Sequence, residues 1–130
     1  MMWSFDEFSL ADYLTVARHL IEYSDASGYE EACLRSAISR AYYAALNTAR
    51  NLLHDRWGIT VPETPEIHSF VPRWFLDEDD MAQKEIGVLL DRLRDRRRKA
   101  DYNDVITKVS SLAARSIADA QIVVDRVSTL

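Results

Sequence analysis

The sequence predicts an all-α protein with four long helices and one additional short helix. Only three glycines and three prolines interrupt the 130 residues, and no segment alternates apolar and polar residues in the manner of a strand. Apolar residues instead recur at helical spacing along most of the chain.

The first two helices are predicted from capping signals and apolar stripes. Ser4 with Glu7 resembles a capping box, which predicts a first helix to about Tyr23. Ser27 with Glu30 repeats the pattern and predicts a long second helix, roughly to residue 55. The apolar residues that keep the helical period along these two helices are Leu10, Tyr13, Leu14, Ala17, Leu20 and Ile21 in the first, and Leu34, Ile38, Ala41, Tyr42, Ala45, Ala49, Leu52 and Leu53 in the second.

A loop and a short helix follow. Residues 56–67, "RWGITVPETPEI", break the periodic pattern and predict a loop. Within it, Thr64 followed by Pro65 resembles an N-cap with proline at the first helical position. We therefore expect a short helix over residues 66–75.

Two further helices complete the chain. The acidic run 77–80 suits the first turn of a helix, where negative charge faces the positive end of the helix dipole. This helix is predicted to end near Lys99, with Ile86, Leu89, Leu90 and Leu93 facing inward. Residues 101–109 are predicted to be extended, and Ser110 is a candidate cap for a last helix to about residue 128.

The composition predicts one domain, residues 1–130, in a reducing compartment. A hydrophobic content of 48% is enough to bury a core without disulfides, and Cys33 is the only cysteine. The first ten residues lack the basic and apolar regions of a signal peptide. No apolar run approaches the ~20 residues that span a bilayer. These features predict a cytoplasmic protein with no membrane segment.

Positive charge is concentrated in one segment. Residues 92–99 carry a net charge of +5, whereas the rest of the chain carries −10. Proteins that bind nucleic acid by general electrostatics usually have a basic face and a high isoelectric point. With an isoelectric point near 5.1, this chain is expected to make any such contact through one focused patch.

Two motifs resemble a known family. "RSAISRAYYAALNTARNLL" at 35–53, then "LRDRRRKADY" at 93–102 and a final alanine-rich helix, resemble the HEPN superfamily in its minimal, single-domain branch. The likeness runs from about Leu34 to Ala120. It implies an up-and-down four-helix bundle with an additional short helix, which commonly forms dimers. It also implies functions tied to RNA or nucleotides. Many relatives belong to toxin–antitoxin or defence modules, and some have a small nucleotidyltransferase as partner.

The polar residues on these helices allow two interpretations each. Tyr42 and Tyr43 lie among alanines, which favours aromatic packing in the core. A polar stripe on the second helix is either solvated or faces a ligand or a second copy; its members are Arg40, Tyr43, Asn47, Arg50 and His54. Arg97 continues the apolar stripe of its helix and needs a partner, because its charge cannot be removed by deprotonation. Asp101, four residues later, is the nearest candidate for a structural or functional pair.

The sequence departs from the catalytic pattern of the ribonucleases that it resembles. Those relatives use an arginine followed after about four to six residues by a histidine, whereas here Tyr102 stands at that spacing from Arg96 and Arg97. Histidine titrates near pH 6.5 and tyrosine near 10, so tyrosine is a poor base at neutral pH. The candidate catalytic residues are Arg97, Asp101 and Tyr102, and we expect no robust cleavage of RNA.

No metal or other cofactor is predicted. The three histidines, His19, His54 and His68, lie on different predicted elements, and no Glu-x-x-His pair supports a carboxylate-bridged site. Separate structural or surface roles are the better interpretation of these histidines. The widely separated glycines exclude a glycine-rich phosphate loop.

Together these features predict an RNA- or nucleotide-associated binding component. Its candidate contacts are Arg40, Tyr43, Arg94, Arg97 and Arg98. The alternatives are a metal-independent ribonuclease toxin that uses an Arg/Tyr motif, and a non-catalytic structural partner of an antitoxin-like protein, for which a nucleotidyltransferase is a candidate. We also predict a homodimer whose interface includes the end of the arginine-rich helix and the polar face around Arg40 and Tyr43.

Overall fold

The computed structural model describes residues 9–130, which form five helices. They are α1 (Asp12–Ser27), α2 (Glu30–Trp57), α3 (Ile67–Leu76), α4 (Met81–Tyr102) and α5 (Val109–Thr129). The described part of the chain contains no strand. The all-α prediction is therefore confirmed, whereas the capping box at Ser4 and Glu7 lies outside the described residues.

Helices α1, α2, α4 and α5 form an up-and-down bundle, and the short α3 is added to it. α2 contacts each of the other four helices, and α3 packs mainly against α4. Ion pairs between α4 and α5 show that these helices are antiparallel. Glu85 near the start of α4 meets Arg126 near the end of α5 at 2.9 Å, and Arg96 meets Asp119 at 2.7 Å. The predicted four-helix bundle with an additional short helix is confirmed.

The core is built on a central helix rich in small residues. Buried alanines on α2 let the neighbouring helices approach closely, and the large ring of Tyr42 fills the space between them, with no exposed surface. The inward stripe predicted for α4, from Ile86 to Leu93, is buried throughout. The alanines of α2 that are fully buried are Ala37, Ala41, Ala44, Ala45 and Ala49.

Gly87 determines how closely α3 approaches α4. A Cβ atom at this position would lie 2.7 Å from Leu76 Cγ and 2.9 Å from the Pro72 carbonyl oxygen. Ordinary carbon contacts begin near ~3.5 Å. Both neighbouring atoms belong to α3, so the absence of a side chain at Gly87 allows α3, with everything it carries, to dock on the bundle.

The predicted start of α2 is wrong. Ser27 is the last residue of α1, and Gly28 follows it in the left-handed conformation (φ 78°) that commonly ends helices. The Ser27 hydroxyl oxygen accepts a hydrogen bond from the Tyr29 backbone N–H at 2.9 Å. No side chain caps α2 at its N-cap, Tyr29. The serine therefore stabilises the tight connection between two helices instead of opening the second one.

The predicted boundaries of α4 and α5 also need correction. The acidic run precedes α4, and its last residue, Asp80, is the N-cap whose carboxylate accepts a bond from the Ala82 N–H at 2.7 Å. Residues 101 and 102 are helical and not extended, so α4 ends at Tyr102. α5 begins at Val109, after Lys108 in a left-handed conformation (φ 56°). Ser110 therefore lies inside the helix and does not cap it.

A side chain from α2 explains the longer α4. Arg35 donates hydrogen bonds to the carbonyl oxygens of Ala100 (3.0 Å), Asn103 (2.5 Å) and Asp104 (3.1 Å). Carbonyl groups at the end of a helix have no partner within the helix, and a cation there also interacts favourably with the helix dipole. The contact spans more than 60 residues of sequence, so local patterns could not predict it.

Candidate functional site

Arg97 lies inside the bundle, against two aromatic rings. It is 8% exposed, as the apolar stripe of α4 predicts. Its guanidinium carbon lies 5.3 Å from the ring centre of Tyr42 and 5.9 Å from that of Tyr43. The predicted pair with Asp101 is present but long, at 3.5 Å from Nη1 to Oδ2. The charge is therefore stabilised mainly by the two π-faces, and the ion pair is secondary.

His68 of α3 completes this cluster. Its Nδ1 atom lies 2.5 Å from the Tyr42 hydroxyl oxygen, and its ring is stacked near that of Tyr42, with the ring centres 5.7 Å apart. The ring of Tyr43 approaches the same histidine edge-on at 6.2 Å. We name Tyr42, Tyr43, His68 and Arg97 the aromatic–arginine cluster. Sequence reasoning did not assign His68 to a site, although its spacing from the buried Val71 and Phe75 places it on the inward face of α3.

Burial and nearby charge set the protonation states of this cluster. Burial raises the pKa of Tyr42 to about 12, although Arg97 and Arg94 act in the opposite direction. Burial lowers the pKa of His68 below its ordinary value of 6.5, and the positive charges of Arg97, Arg94 and Arg98 lower it further. At neutral pH the tyrosine is therefore protonated and the histidine is uncharged.

These protonation states give the hydrogen bonds a direction. The Arg97 guanidinium lies over the Tyr42 ring, and the protonated hydroxyl of Tyr42 can donate to Nδ1 of His68. A neutral imidazole that accepts at Nδ1 carries its proton on Nε2. In this tautomer the cluster presents a histidine N–H beside the charge of Arg97.

The remaining arginines divide into neutralised and unneutralised residues. Arg96 is paired with Asp119 on α5, and Lys99 lies 3.1 Å from Asp95. Arg92, Arg94 and Arg98, in contrast, have no acidic partner within residues 9–130. Arg94 lies three residues before Arg97 and four before Arg98, so it is a helix-surface neighbour of both, whereas Arg92 lies on another face. We name Arg94, Arg97 and Arg98 the arginine face.

Part of this face is short of hydrogen-bond partners. The Nε atoms of Arg94 and Arg97 are buried, and neither has a partner in the described part of the chain. Leaving a charged donor unsatisfied costs about 1–3 kcal/mol or more, so such groups usually await a ligand or water. Unpaired donors with a net positive charge suit an anion that has several oxygens, such as a phosphate.

The other predicted site residues lie elsewhere along α2 and α4. Arg40 is exposed, with its guanidinium 5.6 Å from the centre of the Tyr13 ring. Together with Asp101 and Tyr102 it lines an open cavity of about 560 Å³ near the start of α2. Tyr102 is 75% exposed, whereas the aromatic–arginine cluster is buried or half-buried. Of the predicted contacts, the structure therefore brings Tyr43, Arg94, Arg97 and Arg98 together, and Arg40 stands apart with Tyr102.

A larger cavity opens beside the cluster, toward the end of α2. It measures about 620 Å³ and lies between α2 and the segment that leads into α3. Tyr43 and His68 belong both to its lining and to the cluster. The stripe predicted on α2 thus faces two cavities in succession, with Arg40 at the first and Asn47, Arg50 and His54 at the second.

Neither a metal site nor a membrane segment is found in residues 9–130. No three or more histidine, cysteine, aspartate or glutamate side chains within this range are grouped closely enough to hold a metal ion. None of its helices is both long and apolar enough to cross a bilayer.

The fold and the site define a class of protein: an all-α bundle with an arginine face next to a ring-lined cavity. The family model of the HEPN domain matches residues 10–130, almost the whole chain, and the chain belongs to this family. Membership supports a role associated with RNA or nucleotides in general. No curated protein and no solved structure matches the chain.

Proposed function

We propose that the chain binds RNA or a nucleotide through a phosphate group held on the arginine face. The observation that carries this proposal is the absence, within residues 9–130, of any acidic partner for Arg94 and Arg98 beside the buried Arg97. The Nε2–H of His68 would add a neutral donor next to these charges. Planar guanidinium groups suit phosphate oxygens, and no acidic partner in residues 9–130 competes with a phosphate for Arg94 or Arg98.

A salt series with charge-reversed variants tests the proposal. Binding of labelled single-stranded RNA is measured by fluorescence anisotropy for the wild type and for Arg94→Glu/Arg98→Glu. Each phosphate contact adds about 0.7 to the slope of log affinity against log salt for single strands. We expect the double variant to bind at least about tenfold more weakly, with the slope reduced by about 1.4.

A second double variant controls for overall charge. Arg92 and Lys99 are exposed and seven residues apart, on a different face of α4 from the arginine face. Arg92→Glu/Lys99→Glu makes the same change in net charge and should weaken binding much less. Equal losses in the two double variants would contradict a site on the arginine face, and would indicate attraction by net charge alone.

Cleavage of RNA is the second candidate function, and one observation favours it. The histidine that is missing at the expected sequence spacing is replaced in space by His68, which lies with Arg97 around Tyr42. In this alternative, we therefore assign the catalytic role to Arg97 and His68, and Tyr102 has no part in catalysis. A base must accept the proton of the 2′-hydroxyl, however, and in the tautomer in which Tyr42 donates to Nδ1 the outer nitrogen of His68 already carries a proton.

The geometry therefore favours binding over cleavage. We expect no robust cleavage of single-stranded RNA by the purified protein in the presence of EDTA. Labelled RNA resolved on a denaturing gel is the measurement. Cleavage that is lost in both Arg97→Ala and His68→Ala would contradict this expectation and establish the nuclease alternative.

We further propose that the chain forms a homodimer. HEPN domains often form dimers, and the open cavity around Arg40, Asp101 and Tyr102 gives a second copy a polar surface to contact. A two-fold interface would present this surface twice. Light scattering at micromolar concentration should give about twice the chain mass of 15.0 kDa. A monomeric mass would contradict the proposal.

We propose, from the family resemblance alone, that the chain belongs to a toxin–antitoxin or defence module. Its partner there would be a nucleotidyltransferase-like antitoxin. Growth of cells that express the chain, with and without such a neighbouring gene, tests it. Arrest of growth that the neighbour relieves would support this context, and normal growth in both cases would contradict it.

A further inference from the structure

The cavity between α2 and α3 has the volume of a small-molecule site. Its volume of about 620 Å³ falls within the range of about 300–1,000 Å³ that is usual for ligand pockets. Four apolar side chains contribute to its walls, and the rings of Tyr43 and His68 separate it from the arginine face. The apolar residues are Leu46, Val61, Pro62 and Ile67.

Asn47 is one of the polar groups in this cavity that have no hydrogen-bond partner within residues 9–130. Its side chain is half-buried, and within residues 9–130 its amide makes no hydrogen bond. Its neighbour Arg50 is already engaged, because Nε and Nη2 both donate to the Asn51 side-chain oxygen, at 3.3 and 3.2 Å. An asparagine amide offers one acceptor and two donors in a plane. This pattern matches the N6 and N7 edge of adenine, which asparagine binds with two hydrogen bonds.

The cavity carries charges of both signs, from Arg50 and Glu63, whereas the arginine face carries positive charge only. Glu63 lines the cavity, and within the described residues no basic partner neutralises it. A carboxylate repels a phosphate but accepts hydrogen bonds from the amino group of a base. A phosphate is therefore expected on the arginine face, and an uncharged ring with an amino group on the cavity side. Aromatic side chains such as Tyr43 and His68 are common surfaces for stacking a base.

We propose that this cavity binds the adenine base of a nucleotide whose phosphate lies on the arginine face, with Asn47 as the residue that selects the base. The inference rests on the proposed function, since it assumes that phosphate site. It goes further by naming the base and the residue that recognises it.

Competition between small ligands tests the base and the phosphate separately. Binding of AMP, GMP, UMP and ribose 5-phosphate is measured by isothermal titration calorimetry. We expect AMP to bind about tenfold or more tightly than GMP, UMP and ribose 5-phosphate, as a good two-bond contact with a base allows. Asn47→Ala should reduce AMP affinity to the level of ribose 5-phosphate, while the affinity for ribose 5-phosphate stays unchanged.

A matched variant and a folding check complete the design. Asn103 lies in the α4–α5 connection, away from this cavity, and its side chain makes no hydrogen bond in residues 9–130. Asn103→Ala is expected to bind every ligand as the wild type does. Thermal melts followed by circular dichroism verify that each variant is folded at the temperature of titration.

The outcomes separate this inference from the function on which it rests. If ribose 5-phosphate binds as tightly as AMP and the Arg94→Glu/Arg98→Glu variant loses both, the base pocket is refuted and the phosphate site stands. If AMP binds more tightly but Asn47→Ala retains that advantage, the assignment to this cavity is refuted. If neither these ligands nor single-stranded RNA bind at all, both the adenine site and the phosphate site are refuted.

Discussion

Replacing Tyr42 by phenylalanine would isolate the contribution of a single hydroxyl group to the aromatic–arginine cluster. The phenylalanine ring keeps the core volume and the contact with the Arg97 guanidinium, which lies 5.3 Å from the ring centre. Only the hydroxyl is lost, and with it the 2.5 Å hydrogen bond to His68 Nδ1. Tyr43→Phe is the matched control, because the adjacent hydroxyl makes no hydrogen bond within residues 9–130.

The expected cost follows from what the removed hydroxyl leaves behind. A neutral hydrogen bond contributes about 0.5–1.5 kcal/mol, and a buried group left without its partner costs about 1–3 kcal/mol. His68 is half-buried, so its Nδ1 can turn only partly to water once the hydroxyl is gone. We therefore expect Tyr42→Phe to lower the free energy of unfolding by about 1.5 kcal/mol, and Tyr43→Phe by less than about 0.5 kcal/mol.

Urea denaturation followed by circular dichroism at pH 7 and pH 11 would measure this effect. Because the pKa of Tyr42 is raised to about 12 from about 10 in the unfolded chain, the wild type should lose stability as pH rises above 10. Tyr42→Phe removes this loss, so the difference between wild type and variant should shrink at pH 11. A variant as stable as the wild type at pH 7, or an equal loss in Tyr43→Phe, would refute the predicted network.

Three further predictions test how the site is positioned. Gly87→Ala should destabilise the protein by about 1–2 kcal/mol in thermal melts despite its gain in helix propensity, because its Cβ would meet the Pro72 carbonyl; an unchanged melting temperature would contradict this. Arg35→Ala should cost about 2 kcal/mol and speed hydrogen exchange at the end of α4, whose carbonyls it binds; unchanged exchange there would contradict the capping role. His68 has a lowered pKa, so its contribution to stability is complete above about pH 6.5 and is lost as pH falls below that value. His68→Gln should lose less stability than the wild type between pH 7 and pH 5 in urea titrations, and parallel losses would contradict the shift.

Apolar periodicity predicted the parts of the fold that depend on one helix at a time. The stripe on α4 placed Arg97 in the interior four residues after Leu93, and the structure buries it there. Tyr42 was expected to pack among alanines, and it is fully buried. Both predictions depend only on the angle between residues of the same helix, which the sequence determines directly.

Features that join distant segments could not be predicted in this way. His68 reaches Tyr42 because α3 docks closely over Gly87, and a glycine inside a helical pattern does not indicate which element covers it. The extension of α4 to Tyr102 depends on Arg35 from another helix. Ser27 carried the sequence signal of an N-cap, but its hydroxyl is used in the turn before the helix. The first two errors arose where a side chain contacts a distant segment, and the third arose because a serine can serve either a turn or an N-cap.

On the proposed function, the length of α2 has a consequence for the size of RNA that one chain would contact. Its polar stripe runs from the cavity at Ser36 and Arg40 to the cavity that His54 lines. A helix rises about 1.5 Å per residue, so residues 36 to 54 span about 27 Å. A stacked strand advances about 3.4 Å per nucleotide, so a strand lying along the whole stripe would cover about eight nucleotides. A dinucleotide or trinucleotide is too short to reach both cavities of one chain, and the two ends of α2 would therefore distinguish short fragments from longer RNA.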